Sequence, residues 1–470
     1  MYLYNKEEST RDDMMDKIRD LLIDHNKKTG SNIPIDYSID LSKSQKRAFI
    51  KFKMGDSVLI LGSAGVGKSA LVKEFMKYNI NNDNKTMYIT STTGISAYNI
   101  GGITINSFMG IGTGEAPIEV LLKRLRYKQS IRDRIIGTDI LVIDEISMMS
   151  ASTFEKMDLI FKTLRRSKKQ FGGIQLILTG DFLQLETVFN RNILGKEQDT
   201  RLLIESELFN KMFKKCTIVL KENFRQSSDK KYIDLLLRIR EGNHTEEDIN
   251  LLKTRLDVKP TGNHVHIVNS NKSAQIINES NLSNINEPVY KYLAEYKDSG
   301  KNIEIDDVLI KELKFQFNQK GIDILELKKG TRVMLTKNID VSNGLVNGSI
   351  GIIDSFIEYQ DKNEKFPLVI FDNVPGKHLI LPVSIELELD NCVCIANQIP
   401  LMLAYALTTH KLQGITLDSA ILDLATAFCN GQVYVALSRV KSFNGLYLKS
   451  FNPSKIKVNE KMKEFLKILI

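Results

Sequence analysis

Cysteine is scarce in this chain. Only Cys216, Cys392, Cys394 and Cys429 occur among 470 residues, too few and too scattered for a disulfide framework, so they read as reduced thiols. Cys392 and Cys394 have one residue between them and no second Cys or His pair nearby, a pattern that fits buried small side chains better than a metal site. Long apolar runs are also missing: none reaches the ~18 residues that a membrane span needs, so no membrane partner is expected. The opening residues Met1-Tyr2-Leu3-Tyr4-Asn5-Lys6-Glu7-Glu8 lack both the basic-then-apolar pattern of a secretory leader and the acid-poor character of a mitochondrial one. An intracellular site is the expectation. Internal repeats and long low-complexity tracts are absent too, and what remains is ordinary globular composition, 42% hydrophobic and 26% charged.

A net charge of +8, from 65 basic and 57 acidic residues, permits a polyanionic partner without requiring one. Its local distribution says more. Lys123, Arg124, Arg126, Lys128, Arg132 and Arg134 fall close together, as do Arg165, Arg166, Lys168 and Lys169; taken alone, such runs read first as solvated helix faces, and they gain weight only from the motifs beside them.

Length implies about three structural units. Met14, Ile18, Leu21 and Leu22 lie at helical spacing, so residues 1–40 are expected to be a helical extension. From 41 to 215, short β-branched runs at 58–61, 87–90, 140–143 and 174–178 alternate with helical patterns, as buried parallel strands with covering helices do. A second such unit is expected over 216–275 and 401–470. Residues 276–400 break into short strands punctuated by turn signals such as Ser342-Asn343-Gly344 and Val374-Pro375-Gly376-Lys377, which reads as an inserted β-rich domain.

Gly62-Ser63-Ala64-Gly65-Val66-Gly67-Lys68-Ser69 follows an apolar strand and precedes a helical pattern that begins at Ala70, the context in which G-x-x-x-x-G-K-[ST] is a phosphate-binding loop. Gly62, Gly65, Val66, Gly67 and Ala70 would present backbone to the phosphates of ATP, Lys68 would offset their charge, and the Ser69 hydroxyl would ligate Mg2+. Asp144-Glu145 follows the strand 140–143: Asp144 is placed to hold the metal and Glu145 to act as base or orienter for the attacking water. Gln184, after the strand 174–178, could sense the γ-phosphate. Arg225 and Arg439 are candidate arginine fingers, with surface ion pairs as the alternative reading from charge alone.

Taken in order, these segments resemble the Pif family of helicases (petite integration frequency), in the RecD-like branch of superfamily one. The resemblance rests on Leu41-Ser42-Lys43-Ser44-Gln45, the phosphate loop, Thr92-Thr93-Gly94-Ile95-Ser96-Ala97, Gly101 to Phe108, and above all Asp144-Glu145-Ile146-Ser147-Met148 with Phe171-Gly172-Gly173 to Asp181. It extends through Glu222 to Gln226, Ala404 to Leu417 and Tyr434 to Arg439. It implies an α/β architecture of two RecA-like P-loop domains with an inserted small β-barrel similar to a Src-homology-three domain. ATP would lie between the two domains, with Gln45 reading the base and with Arg225 and Arg439 reaching across from the second domain. Single-stranded DNA would be touched by Thr92, Thr93, Ser107, Phe108, Thr409, His410 and Lys411, residue types that hold phosphates or stack on bases. The chain departs from the family at Glu186-Thr187, where Pro-Pro is usual, at Asn106, and at Thr409, Leu412 and Ile415. Little chain flanks the motifs, so a motor core without appended domains is expected.

The reading is an ATP-dependent DNA helicase, a monomer acting on single-stranded, duplex or forked DNA; the 5′-to-3′ direction comes from the resemblance alone. A wedge for strand separation is expected near 109–135, where a glycine-rich start is followed by the basic run. Rival readings are a translocase or protein-displacing motor that does not separate strands, a nucleotide-switched binding module, and a motor on RNA.

Overall fold

Ser42 starts the first described helix by a reciprocal cap: its hydroxyl accepts from the Gln45 N–H while the Gln45 side chain accepts from the Ser42 N–H. The computed structural model describes residues 41–469 apart from 84, 94–95, 98–99, 113, 188–198, 225–228, 257, 261–263, 299–322, 338, 341–342, 346, 359–363, 373 and 389–392. The expected N-terminal helix, Cys392 and Arg225 therefore lie outside the described residues.

The first unit contains α1 (Lys43–Lys53), β1 (Val58–Leu61), α2 (Lys68–Tyr78), β2 (Met87–Ser91), β3 (Ile103–Thr104), α3 (Ile105–Met109), α4 (Ile118–Leu125), α5 (Gln129–Gly137), β4 (Ile140–Asp144), α6 (Ala151–Leu164), β5 (Gln175–Gly180), α7 (Glu207–Phe213) and β6 (Thr217–Val219). Its strands form one parallel sheet in the order β3-β2-β4-β5-β1-β6. β1, β4 and β5 are buried along their whole length, as strands covered by helices on both faces must be. Along β1, Leu59 and Leu61 join a core with Phe108, Phe154 and Phe161 on one face, while Val58 and Ile60 join Phe52 and Phe75 on the other.

The second unit contains α8 (Lys230–Glu241), α9 (Glu246–Lys253), β7 (Val265–Val268) and α10 (Asn271–Ser283), and resumes after an insertion. The insertion carries β8 (Tyr290–Leu293), β9 (Glu295–Asp298), β10 (Ile324–Leu327), β11 (Arg332–Leu335), β12 (Ile350–Glu358), β13 (Lys365–Phe371), β14 (Val374–Leu379), β15 (Val383–Glu388), β16 (Val393–Gln398) and β17 (Leu401–Leu403). These strands form antiparallel sheets in the orders β14-β13-β12-β11-β17, β15-β16-β9 and β10-β8; Leu325, Leu327, Val333, Ile353, Val369 and Leu401 share one core, giving a small barrel-like domain. The chain returns as β18 (Ala406–Thr408), β19 (Ala420–Asp423), α11 (Gln432–Leu437), β20 (Leu446–Ser450) and α12 (Glu460–Leu469). The second sheet is parallel throughout, in the order β18-β7-β19-β20.

The domain limits expected from sequence need four corrections. β6 is not the start of the second unit, because it pairs with β1 and completes the first sheet. α10 runs past 275 and packs on β18, where the Asn278 amide both donates to the Ala406 carbonyl and accepts from the Ala406 N–H, so the insertion starts after it. Leu401–Leu403 belongs to the insertion, since β17 pairs with β11. Finally, α12 crosses back to the first unit, where Met462 and Leu466 join the core and Phe465 packs against Phe182 and Phe209. Among the described residues no helix is long and apolar enough to cross a membrane.

Candidate nucleotide and DNA site

β1 ends where the phosphate loop begins, and the loop ends where α2 begins. Gly67 is the N-cap of α2 with φ 80°, a left-handed conformation that glycine adopts without steric cost. A Cβ there would sit 2.7 Å from the Gln45 amide nitrogen. Lys68 folds its ammonium onto the loop, donating to the carbonyls of Gly62 (2.8 Å) and Ser63 (3.1 Å). Residues 64–70 line a cleft of about 700 Å3 together with Ser96, Asp144, Glu145, Gln184, Phe224, residues 414–416 and Arg439. Gly344, Asn347, Gly348, Ser349 and Ile350 of the insertion complete the wall. Both α/β units and the barrel thus meet at one cavity.

At the end of β4, Asp144 accepts from the Ser96 hydroxyl (3.3 Å), from the Thr179 hydroxyl and from the Glu145 N–H (2.9 Å). Glu145 adopts φ 55°, a conformation that costs energy for a residue with a Cβ and is held here by its surroundings. Burial first, then the neighbouring Asp144 charge, pushes the Glu145 carboxyl up to about 7, against the opposing pull of Lys68, Arg439 and a hydrogen bond from Gln413. A carboxyl in that range is suited to take a proton near neutral pH. Gln184 is buried, with Nε2 3.4 Å from Asp181 and with Oε1 finding no partner among the described residues.

The second unit closes the cleft with specific bonds. Arg439, 2% exposed, is braced by the carbonyls of Val435 (3.0 Å) and Ile415 (3.3 Å) and by the Ser438 hydroxyl (2.8 Å). The Tyr434 hydroxyl accepts from the Ala64 N–H of the phosphate loop at 2.9 Å. Arg240 on α8 grips Asp181 with two nitrogens, at 2.6 and 3.0 Å. Burial alone would raise the Asp181 carboxyl, but Arg240, with Lys68 and the Leu183 N–H, holds it below the usual carboxylate range. Glu186, where the family usually has proline, accepts from Asn430 (2.8 Å) and Asn459 (2.6 Å). Gly431 allows this closeness, since a Cβ there would lie 2.5 Å from the Gln184 carbonyl oxygen.

The remaining expected residues divide. Gln45 does not line the cleft; its amide caps α1 and donates weakly to the Val66 carbonyl at 3.4 Å, placing it behind the loop. Gly62 likewise serves through its carbonyl and its close fit to Val66. Thr92 donates to the Glu145 carbonyl (2.8 Å) and Thr93 accepts from the Ser96 N–H (3.3 Å), so both brace the backbone beside Asp144 and Glu145. Ser107 is exposed, His410 and Lys411 half-exposed. Burial lowers the proton affinity of both His410 and Lys411.

Two expected DNA contacts are corrected. Phe108 is fully buried, packed on Tyr88 and Phe161, so its ring cannot stack on a base without leaving the core. Thr409 is also fully buried, its hydroxyl turned to the Val268 carbonyl and Asn269.

Sequence reasoning missed Thr179, Arg240, Gln413 and Tyr434 as site residues. Thr179, Gln413 and Tyr434 stand inside the motif segments, and that position was the available signal. Arg240 lay in an unremarkable helical run. The basic run near 123–134 forms the helical pair α4–α5, anchored by Leu121, Leu125 and Ile135 in the core; Tyr127 at its turn is 81% exposed.

Comparison with known proteins agrees with this architecture. The profile described as PIF1-like helicase matches residues 40–250, and that of the DNA helicase Pif1 2B domain matches 314–356. The ATP-dependent DNA helicase PIF1 of Danio rerio is 34% identical over 91% of this chain, which spans 64% of that protein, less than two thirds of its length. The crystal structure of Pif1 helicase from Candida albicans superposes with a TM-score of 0.81 at 32% identity, covering 92% of this chain and 100% of the other. Bacteroides Pif1 bound to single-stranded DNA gives 0.68 at 26% identity, covering 92% and 97%. Two α/β units with parallel sheets around a shared cleft, one of them carrying the phosphate loop, an antiparallel insertion between the strands of the second, and this level of identity along nearly the whole chain have one source: the chain belongs to the PIF1-like helicase family.

Proposed function

We propose that this chain is an ATP-driven motor that moves 5′-to-3′ along single-stranded DNA as a monomer and unwinds duplex or forked DNA. The observation that carries the reading is the shared cleft, with the phosphate loop, Asp144 and Glu145 on one wall and the buried Arg439 on the other. A nucleotide triphosphate bound between two units makes their separation depend on its hydrolysis state, and a pure switch has no need of Glu145 or of an arginine opposite it.

In this reading the N–H groups of residues 65–69 and the Lys68 ammonium hold the β- and γ-phosphates. Ser69 and Asp144 both line the cleft and present hard oxygen donors, a donor set that fits Mg2+. The metal would neutralise phosphate charge. Glu145 takes the proton of the attacking water, Gln184 orients that water, and Arg439 offsets charge developing at the γ-phosphate. Phe224, 48% exposed at the cleft and close to Gly67, offers an apolar face to the base. Ser107, His410 and Lys411 hold the DNA strand, and α4–α5 with Tyr127 meets the duplex as the wedge. Alternate tightening of the two units on DNA, in step with closure, then gives a net step.

The test is ATP-dependent strand separation on duplexes with either a 5′ or a 3′ single-stranded tail. Unwinding of the 5′-tailed duplex alone is expected. Unwinding from the 3′ tail would overturn the direction, and ATP hydrolysis with neither unwound would favour a translocase.

A further inference from the structure

The turn between β18 and β19 makes two contacts with the chemistry of the cleft. Its Ile415 carbonyl braces Arg439. Its Gln413 side chain, 1% exposed, reaches across to the first unit and donates from Nε2 to Oε2 of Glu145 at 3.2 Å. The two residues are 268 apart in sequence. Three residues before Gln413 stands His410 and two before it Lys411, and the turn is wound tightly enough that the Gln413 N–H bonds the His410 carbonyl (3.3 Å). His410 and Lys411 are thus joined to Gln413 within one hydrogen-bonded turn rather than through a flexible linker.

The amide has a second property. Its Oε1 is buried and finds no hydrogen-bond partner among the described residues. A buried amide with an unsatisfied acceptor is unfavourable relative to a satisfied one, so packing alone does not account for a glutamine here. The donated bond fixes one oxygen of Glu145.

We propose that Gln413 is a positioning residue that aligns Glu145 for proton abstraction and carries DNA occupancy at His410 and Lys411 to the hydrolytic site. This rests on the DNA-motor reading above and deepens it. A strand on the turn holds the Gln413 amide, and through it the Glu145 carboxylate, firmly in the bonded orientation; without the strand the turn is less constrained and that alignment is kept for a smaller part of the time. Misplacement by about 1 Å is enough to cost on the order of 10²-fold in rate, a range in which DNA stimulation of hydrolysis can reside.

The experiment uses the full chain and compares wild type with Gln413→Met, which keeps side-chain length and removes the donor, and with Gln413→Ala. ATP hydrolysis is followed with and without saturating oligothymidylate, along with the KM for ATP, the affinity for the oligonucleotide and thermal melting. For Gln413→Met the expected result is a kcat with DNA lower by about tenfold to a hundredfold, a smaller fall without DNA, and KM and DNA affinity within about twofold. The ratio of DNA-saturated to DNA-free rate then collapses. Unchanged kcat and ratio in both variants overturn the proposal, and so does a parallel loss of kcat, ATP affinity and DNA affinity, which marks a merely structural role. If wild type itself is not stimulated by the oligonucleotide, the DNA-motor reading falls and this inference falls with it; if wild type is stimulated and Gln413→Met matches it, only the inference falls.

Discussion

The two walls of the nucleotide cleft are built on different plans. The first wall is local: Lys68 and Ser69 begin the helix that follows β1, and Asp144 and Glu145 stand at the C-terminal end of β4, with β5 between the two strands of the same parallel sheet. The second wall is delivered: Arg439 and Gln413 sit on short turns that are held by backbone carbonyls and reach the first unit only when the units meet. A parallel sheet places its loop residues in one row, so the groups that bind phosphate can be pre-aligned. Groups that must appear only on closure belong on the partner, where their contribution is conditional. The comparison predicts that first-wall changes abolish chemistry, whereas second-wall changes separate binding from turnover.

Lys68→Ala breaks the first wall most completely, and loss of measurable ATP turnover is expected in a coupled ATPase assay. Glu145→Gln should retain labelled-nucleotide binding and lose hydrolysis by about 10²- to 10⁴-fold, which single-turnover kinetics will read. On the second wall, Arg439→Ala should lower kcat by about 10³-fold or more while nucleotide affinity changes within a modest factor; a large affinity loss at unchanged kcat would place Arg439 with the first wall instead.

Arg240→Ala tests the join between the walls, since it leaves Asp181 buried without its partner. Breaking such a pair costs about 3–5 kcal/mol, to be seen as a lower melting temperature. Because the Asp181 carboxyl is held below its ordinary value in the fold, this stabilisation is present above the ordinary carboxylate range and is lost as pH falls through the folded value. The deficit of the variant should therefore shrink in acid. The smallest effect is expected at Tyr127→Ala, with unwinding reduced several-fold, on the order of what one exposed aromatic contact supplies, and DNA-stimulated ATPase retained. Equal losses in both would remove α4–α5 from the strand-separating role.

The first wall was legible in sequence because each of its residues is announced by its neighbours: an apolar strand, a glycine loop, a helix start. On the second wall a motif segment marked Arg439, but the segment that holds Gln413 did not announce what that side chain would touch. Gln413 meets Glu145 across 268 residues, a distance at which no spacing rule operates. Phe108 was misassigned for a different reason: an aromatic in a motif segment can face either a ligand or the core, and α3 turns it inward onto Phe161. The boundary at 216 failed because a β-branched run announces a strand without saying which sheet takes it, and β6 has its partner in β1. Arg240 carries no local signature at all, since its role exists only once Asp181 is brought to it.

The return of α12 to the first unit has a geometric consequence. The chain leaves that unit after β6 and comes back to it at Met462, Phe465 and Leu466, so the second unit is tethered at both of its ends. A body held at one point can swing in any direction, whereas one held at two separated points turns about the line that joins them. Motion between the two units is thereby constrained towards rotation about that line.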